Sequence, residues 1–307
     1  MISLLKNQVV QTLVLAAIGI TAIALCRQPT QFGMSEANFW SEKSSWHQEA
    51  SMVIGGDSRV YRGVSPTVMA KTLKTHQIKN FGFAGLGYSP EYLTRLSNVL
   101  DPDADEKIIV LGISPNSLTP KAAETNGFVR IEEISEEHPL AFISSNEKLS
   151  PMKLGSLARL VLGRKQPTFT REEFFATGYM AVQQRPRDLS GLNRYKKIFE
   201  NNQVADTIQT DIIRFIQQQT EQGVQVFVTR PPVADEMLAL ENEKSGFDEL
   251  TFYSAVESVG GEIIRVKSKF ETYDGHHLDR DSSEAYSEFL ATAINDFAKH
   301  KRTESAN

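Results

Sequence analysis

The stretch MVIGGDSRVYRGVSP, residues 52–66, decides the fold. Its opening is short and apolar, with no polar residue alternating into it, the pattern of a strand buried on both faces. It runs into Gly-Gly-Asp-Ser, and Ser65-Pro66 then starts SPTVMAKTLKT with the residue types that cap and open a helix. Ser58 therefore stands at a strand end, where glycines allow close backbone approach and free N–H groups lie near its hydroxyl. Asp-Ser is also ordinary turn chemistry, so both readings stand at this point.

Working outward, the same alternation repeats. QIKNFGFAG reads as strand and turn, SPEYLTRLSNVL as a second helix with a Ser-Pro start, and EKIIVLGIS as a third strand. Later come the helix DTIQTDIIRFIQQQTEQG, the strand VQVFVTRPP, the helix FDELTFYSAVESVGG, the strand EIIRVK and a final helix SSEAYSEFLATAINDFAKH. Strands of continuous apolar character alternating with amphipathic helices predict an α/β domain, a parallel sheet covered on both faces. Ligands of such sheets bind beyond the carboxyl ends of the strands, which puts Ser58, Gly85, residues 114–116 and residues 230–232 on the functional edge.

With 33 Lys and Arg against 38 Asp and Glu, the net charge is −5. No basic footprint for nucleic acid results. The single cysteine, Cys26, lies in the most apolar segment, which leaves the folded part without disulfides or thiol chemistry. That segment, VVQTLVLAAIGITAIALC (residues 9–26), is long enough as a helix nearly to match a hydrocarbon core of about 30 Å. It predicts an uncleaved transmembrane anchor within residues 1–27, with the bulk of the protein extracytoplasmic. Cleavage after Ala22-Ile23-Ala24, or at the lipoprotein-like IALC, is the rival reading. Residues 28–50 read as a juxtamembrane linker, 51–300 as the α/β domain with an insertion at about 117–202, and 301–307 as a polar tail.

The chain has no phosphate-binding P-loop, no H-E-x-x-H and no G-x-S-x-G elbow. The second chemical cluster is TYDGHHLD, residues 272–279, just ahead of the last helix. A serine nucleophile needs a base and the base an orienting carboxylate; His277 and Asp274, three residues apart, are the matching types. A helix-entry turn with solvated histidines, or a metal cluster of Asp274, His276, His277 and Asp279, are alternatives for the same loop.

Taken together, GDS on the first strand and DxxHL before the last helix resemble the first and last blocks of the SGNH/GDSL hydrolase superfamily. The resemblance implies a flavodoxin-like three-layer sandwich, Ser58 as nucleophile, His277 as base and Asp274 as its orienting partner. NFGFAG is similar to the second block, which implies that Gly85 joins Ser58 in an oxyanion hole. In the third block the family has Gly-x-Asn-Asp, whereas this chain has GISPNSLTP, with Gly112 in place and Asn116 displaced from the family spacing. Arg59 stands where the family has leucine, and is read either as a salt-bridge partner or, with Arg230, as a cation for substrate. With its N-terminal anchor the chain is most similar to bacterial membrane-anchored SGNH-like proteins that act beside membrane-bound O-acyltransferases on envelope polysaccharides. That implies an esterase or O-acyltransferase at the cell membrane, acting on acylated polysaccharide and needing no cofactor. A catalytically silent binding or assembly protein of the same fold is the alternative.

Overall fold

The computed structural model describes residues 34–74, 76–131 and 169–305. Among these are the strands β1 (Met52–Gly56), β2 (Ile78–Gly82), β3 (Ile108–Gly112), β4 (Phe169–Phe174), β5 (Met180–Arg185), β6 (Gln225–Thr229) and β7 (Glu262–Ile264). Five of them form one parallel sheet in the order β2-β1-β3-β6-β7, while β4 and β5 form an antiparallel hairpin.

The lack of alternation along the strands has the expected cause. Val53, Ile109, Leu111, Val226 and Val228 face one core, and Met52, Ile54, Ile108, Val110 and Phe227 face the other. Tyr92, Leu93 and Leu96 of the helix Pro90–Ser97, Ile212, Phe215 and Ile216 of Asp206–Glu221, and Phe252 and Val256 of Glu249–Ser258 close the first core. The second is closed by Val60 of the helix Ser58–Gly63, Met69 of Pro66–Met69, and Tyr286, Leu290 and Ile294 of the C-terminal helix Arg280–Ser305. A side chain of either parity is therefore driven out of water. The chain leaves β1 for β2 on one side and then returns to β3 on the other, so the strand order reverses between β1 and β3. Ligand crevices of open α/β sheets form at such a reversal.

Two stretches depart from the sequence expectation. The segment read as a linker forms, at Glu36–Ser45, a helix capped by Ser35, and Phe39, Trp40 and Trp46 are buried in the first core. Lys43 on the same helix is fully buried; its Nζ donates to the Gly82 carbonyl (2.7 Å) and the Gly178 carbonyl (2.8 Å) and lies 4.6 Å from the Phe39 ring centre. Burial pushes its pKa well below the ordinary lysine value. A lysine on the inward face hides the helix's apolar stripe from a reading based on hydropathy.

Within the segment read as an insertion, the β4–β5 hairpin belongs to the body of the domain. Asn80 N–H of the edge strand β2 donates to Thr177 O at 2.8 Å, and Arg280 reaches Glu173 at 2.8 Å. The turn thus covers a sheet edge that would otherwise present free backbone groups. The expected anchor, residues 9–26, lies outside the described residues, as do 132–168 of the insertion. Among the described residues no helix is long and apolar enough to cross a membrane.

Candidate active site

The serine is positioned from below by glycines and from the side by asparagine. Gly56 is in register with Gly82 on β2 and with Gly112 on β3. A Cβ on Gly56 would meet Gly112 O at 2.7 Å, one on Gly82 would meet Tyr61 N at 2.9 Å, and one on Gly112 would strike Val60. Three glycines abreast thus let the helix Ser58–Gly63 lie directly across the strand ends. Asn80, fully buried, ties that helix down: its amide donates to Val60 O (2.9 Å) and Val64 O (2.7 Å), and its Oδ1 accepts from Gly82 N–H (3.0 Å). Asp57 caps the helix through Arg59 N–H (2.9 Å) and accepts the Ser114 hydroxyl from the loop after β3.

The loop after β7 brings the other two groups. Asp274 Oδ1 accepts from His277 N–H (2.8 Å) and His276 N–H (3.1 Å), a tight turn made possible by Gly275 at φ +91°. Gly191 N–H holds Asp274 O (2.9 Å), Asp188 N–H holds Tyr273 O (2.8 Å) and Ala234 N–H holds Gly275 O (3.0 Å), so the helices Ser190–Ile198 and Asp235–Lys244 brace the loop. His277 Nδ1 then lies 2.8 Å from Asp274 Oδ2, and its Nε2 lies 2.8 Å from Ser58 Oγ. Ser58 remains partly open to solvent while His277 is buried. The three residues expected to act together do converge.

The electrostatics support one assignment of protons. Burial acts to raise the Asp274 pKa, but the hydrogen bonds from His276 and His277 outweigh it and hold the carboxylate well below its ordinary range. Burial drives the His277 imidazole below its ordinary value; Asp274 opposes this, while His276 and Arg62 push the same way as burial. An ionised Asp274 takes the Nδ1–H of a neutral imidazole, which leaves Nε2 with a lone pair for the Ser58 proton.

Around the serine the expected oxyanion donors are placed as follows. Ser58 N–H, in the first turn of its helix, and Gly85 N–H have no hydrogen-bond partner among the described residues. Gly85 follows β2 at φ +65°, and Asn116 lies in the 3-10 turn Pro115–Leu118 after β3. They come from the two strands that flank β1, and the Asn116 carboxamide is likewise unengaged among the described residues. Gly112 acts differently from a donor, by giving Val60 room.

The reading of Arg59 and Arg230 as substrate cations is corrected. Arg59 is 2% exposed, pairs with the fully buried Glu241 and lies 5.1 Å above the Tyr195 ring; Arg230 reaches Glu241 at 2.9 Å and Glu249 at 2.6 Å. Both cations are spent on holding the helix Asp235–Lys244 against the body. Asp279 is also occupied, by Arg187, Arg185 and Ser282 N–H. Asp274, His276 and His277 have ligand atoms within 4.8 Å of one another, close enough for a metal ion. Yet both ring nitrogens of His277 are already engaged, and a metal at Nδ1 would have to part it from Asp274.

Several residues of the site carry no sequence signal of their own. Tyr273 stacks on His277 (ring centres 5.6 Å apart), and the His276 ring lies between His277 (3.8 Å) and Tyr195 (4.8 Å). An aromatic wall of this kind fixes the imidazole plane. Only the doubled histidine of GHHL hinted at it.

No protein-family model and no curated protein matches the chain. Among solved structures it is similar to a carbohydrate acetylesterase family member from Sinorhizobium meliloti, at 15% identity over 79% of this chain and 96% of that one, with a TM-score of 0.36. It is also similar to a carbohydrate esterase whose active site displays divergent catalytic and non-catalytic binding functions, at 13% identity over 80% of this chain and 64% of that one, with a TM-score of 0.36. At these scores the likeness carries no argument about activity, which rests on the side chains of this chain.

Proposed function

We propose that the protein is a serine esterase or O-acyltransferase that works through an acyl-Ser58 intermediate. The observation that carries this is the continuous relay Ser58 Oγ, His277 Nε2, His277 Nδ1, Asp274 Oδ2, with 2.8 Å at each hydrogen bond. Ser58 Oγ attacks the acyl carbonyl carbon as its proton passes to Nε2. Negative charge gathers on the carbonyl oxygen, where the N–H groups of Ser58 and Gly85, with the Asn116 carboxamide, are the donors at hand. The tetrahedral adduct collapses, the C–O bond to the alcohol breaks, and the imidazolium protonates the departing oxygen. A second hydroxyl, of water or of a sugar, then gives its proton to His277, takes the acyl group and releases Ser58. Asp274 keeps its charge throughout and stabilises the imidazolium.

The substrate class, acetyl or other acyl esters of envelope or exported polysaccharide, is supported by the resemblance of the N-terminal segment and of GDSRVYRGVSP, NFGFAGLGYSPEYL and LGISPNSLTP to bacterial membrane-anchored SGNH-like proteins. Residues 9–26 support a placement at the outer face of a cell membrane, and the resemblance to membrane-anchored SGNH-like proteins supports a membrane-bound O-acyltransferase as partner. Treatment of the purified full-length chain with a fluorophosphonate tests the core of the proposal: label on Ser58, lost in Ser58→Ala and His277→Ala, upholds it. Absence of label where a control esterase reacts overturns it and leaves the binding-protein alternative. Acetate release set against transfer to an added sugar then separates hydrolase from transferase.

A further inference from the structure

Among the described residues, Arg62 is a cation of this site that no carboxylate answers. It lies one helical turn beyond Ser58 on the helix Ser58–Gly63, a spacing that puts two side chains on the same face. Its Nε donates to the Tyr61 hydroxyl (2.9 Å) and its Nη1 to the Tyr273 hydroxyl, and Tyr273 is the residue stacked on His277. Both partners are neutral phenols, and burial raises the pKa of each. Nη2 has no partner among the described residues, is not sealed from solvent, and the side chain is half-buried. By contrast Arg59, Arg185, Arg187, Arg230 and Arg280 each have a carboxylate. Arg62 also acts electrostatically on His277, so its charge is felt at the reacting groups. A guanidinium oriented by two phenols, half removed from water and without a paired carboxylate among the described residues, is built to receive an anion.

We infer that Arg62 is a specificity-determining residue that recognises a carboxylate on the substrate, so that this site prefers acyl esters of acidic sugars over those of neutral ones. This rests on the esterase reading above. Tyr61 and Tyr273 are then positioning residues: they fix the plane of the guanidinium and leave Nη2 free for the carboxylate. A rival role, stabilising the oxyanion itself, would favour every ester alike.

The test compares O-acetylated glucuronic acid with its primary amide, which is close to it in size, carries no charge and adds no second ester bond. Wild-type protein should favour the acid in kcat/KM by about 10- to 100-fold, the range one charge-assisted hydrogen bond supplies, with the difference carried by KM. Arg62→Gln should bring that ratio to within about twofold of one, and Arg62→Lys should keep part of it. Equal rates for the two esters in the wild type, or a ratio unchanged in Arg62→Gln, overturns the inference, and the first outcome needs no variant to fold. Should neither ester be cleaved and no label reach Ser58, the esterase reading fails separately. Glucuronate binding, followed by NMR titration, then decides the anion site: binding lost in Arg62→Gln upholds it, and equal binding or none in either protein overturns it.

Discussion

Ser58 Oγ stands 2.8 Å from His277 Nε2 although 219 residues separate the two along the chain. The contact spans the sheet as well as the sequence, since Ser58 follows β1, the second of the five strands, and His277 belongs to the loop after β7 at the far edge. The proposed acyl-serine mechanism needs this one hydrogen bond and the Asp274 contact behind it.

Removing members of the relay should therefore be costly to rate and mild for the fold. Ser58→Ala and His277→Ala are each expected to lower ester turnover by about 10⁴-fold or more. Asp274→Asn, which would present an amide where the imidazole needs an acceptor, should lower it by about 10³- to 10⁴-fold. Turnover of a chromogenic acetate, with circular dichroism as the check on folding, measures all three. Full activity in Ser58→Ala would end the acyl-serine mechanism.

The pH dependence follows from His277. Neutral imidazole is the working form, and burial holds its pKa below the ordinary 6.5. The rate of fluorophosphonate labelling should thus stay level from pH 8 down past 6.5 and decline only at lower pH. Stability has the same sign, because between the folded and unfolded pKa values the unfolded chain binds the extra proton. The contribution is complete above the unfolded value and is lost as pH falls through the folded one. A labelling limb centred at or above pH 6.5 would contradict the burial argument.

Asn80 is predicted to matter as much as a catalytic group for placing Ser58. Asn80→Ala leaves the buried Val64 O and Gly82 N–H without their partner, while Val60 O keeps the Val64 N–H. At about 1–3 kcal/mol for each of the two buried polar groups left unsatisfied, a loss of about 2–6 kcal/mol is expected. Urea unfolding measures it, and labelling of Ser58 should slow in the fraction that remains folded.

Glu241 carries the two cations read from sequence as substrate contacts. Glu241→Gln leaves Arg59 and Arg230 without their shared buried charge, a change expected to cost about 3–5 kcal/mol, as breaking a buried pair does. Arg59→Met combined with Glu241→Leu should recover part of it. A thermal unfolding series distinguishes the outcomes; a single variant as stable as the wild type would show that the pair does not hold the helix Asp235–Lys244 in place.

Substitution at the glycine floor should act on both properties together. An alanine at Gly56 would need φ of +149° and would bring its Cβ to 2.7 Å from Gly112 O. The helix bearing Ser58 must then rise from the strand ends, so Gly56→Ala should lose both labelling rate and stability. Retention of wild-type labelling would show that the close approach is dispensable.

Much of this architecture could be read along the chain because its signals are local. Continuous apolar runs report strands buried on two faces, Ser-Pro pairs mark helix starts, and Gly-Gly-Asp-Ser and Asp-Gly-His-His mark the two loops whose side chains form the relay. Hydropathy and backbone preference are properties of a residue and its near neighbours, so the order of elements and the three residues of the relay were within reach. Partnership between distant charges is not such a property. Arg59 and Arg62, three residues apart on one short helix, are indistinguishable as letters; the crossover that lays the helix Asp235–Lys244 beside them gives Arg59 a buried carboxylate and leaves Arg62 with two phenols. Lys43 likewise reads as a solvent-facing residue until two backbone carbonyls from separate elements meet its ammonium in the core. Which charge is neutralised, and which stays open beside Ser58, was decided by the packing of segments that no short-range pattern connects.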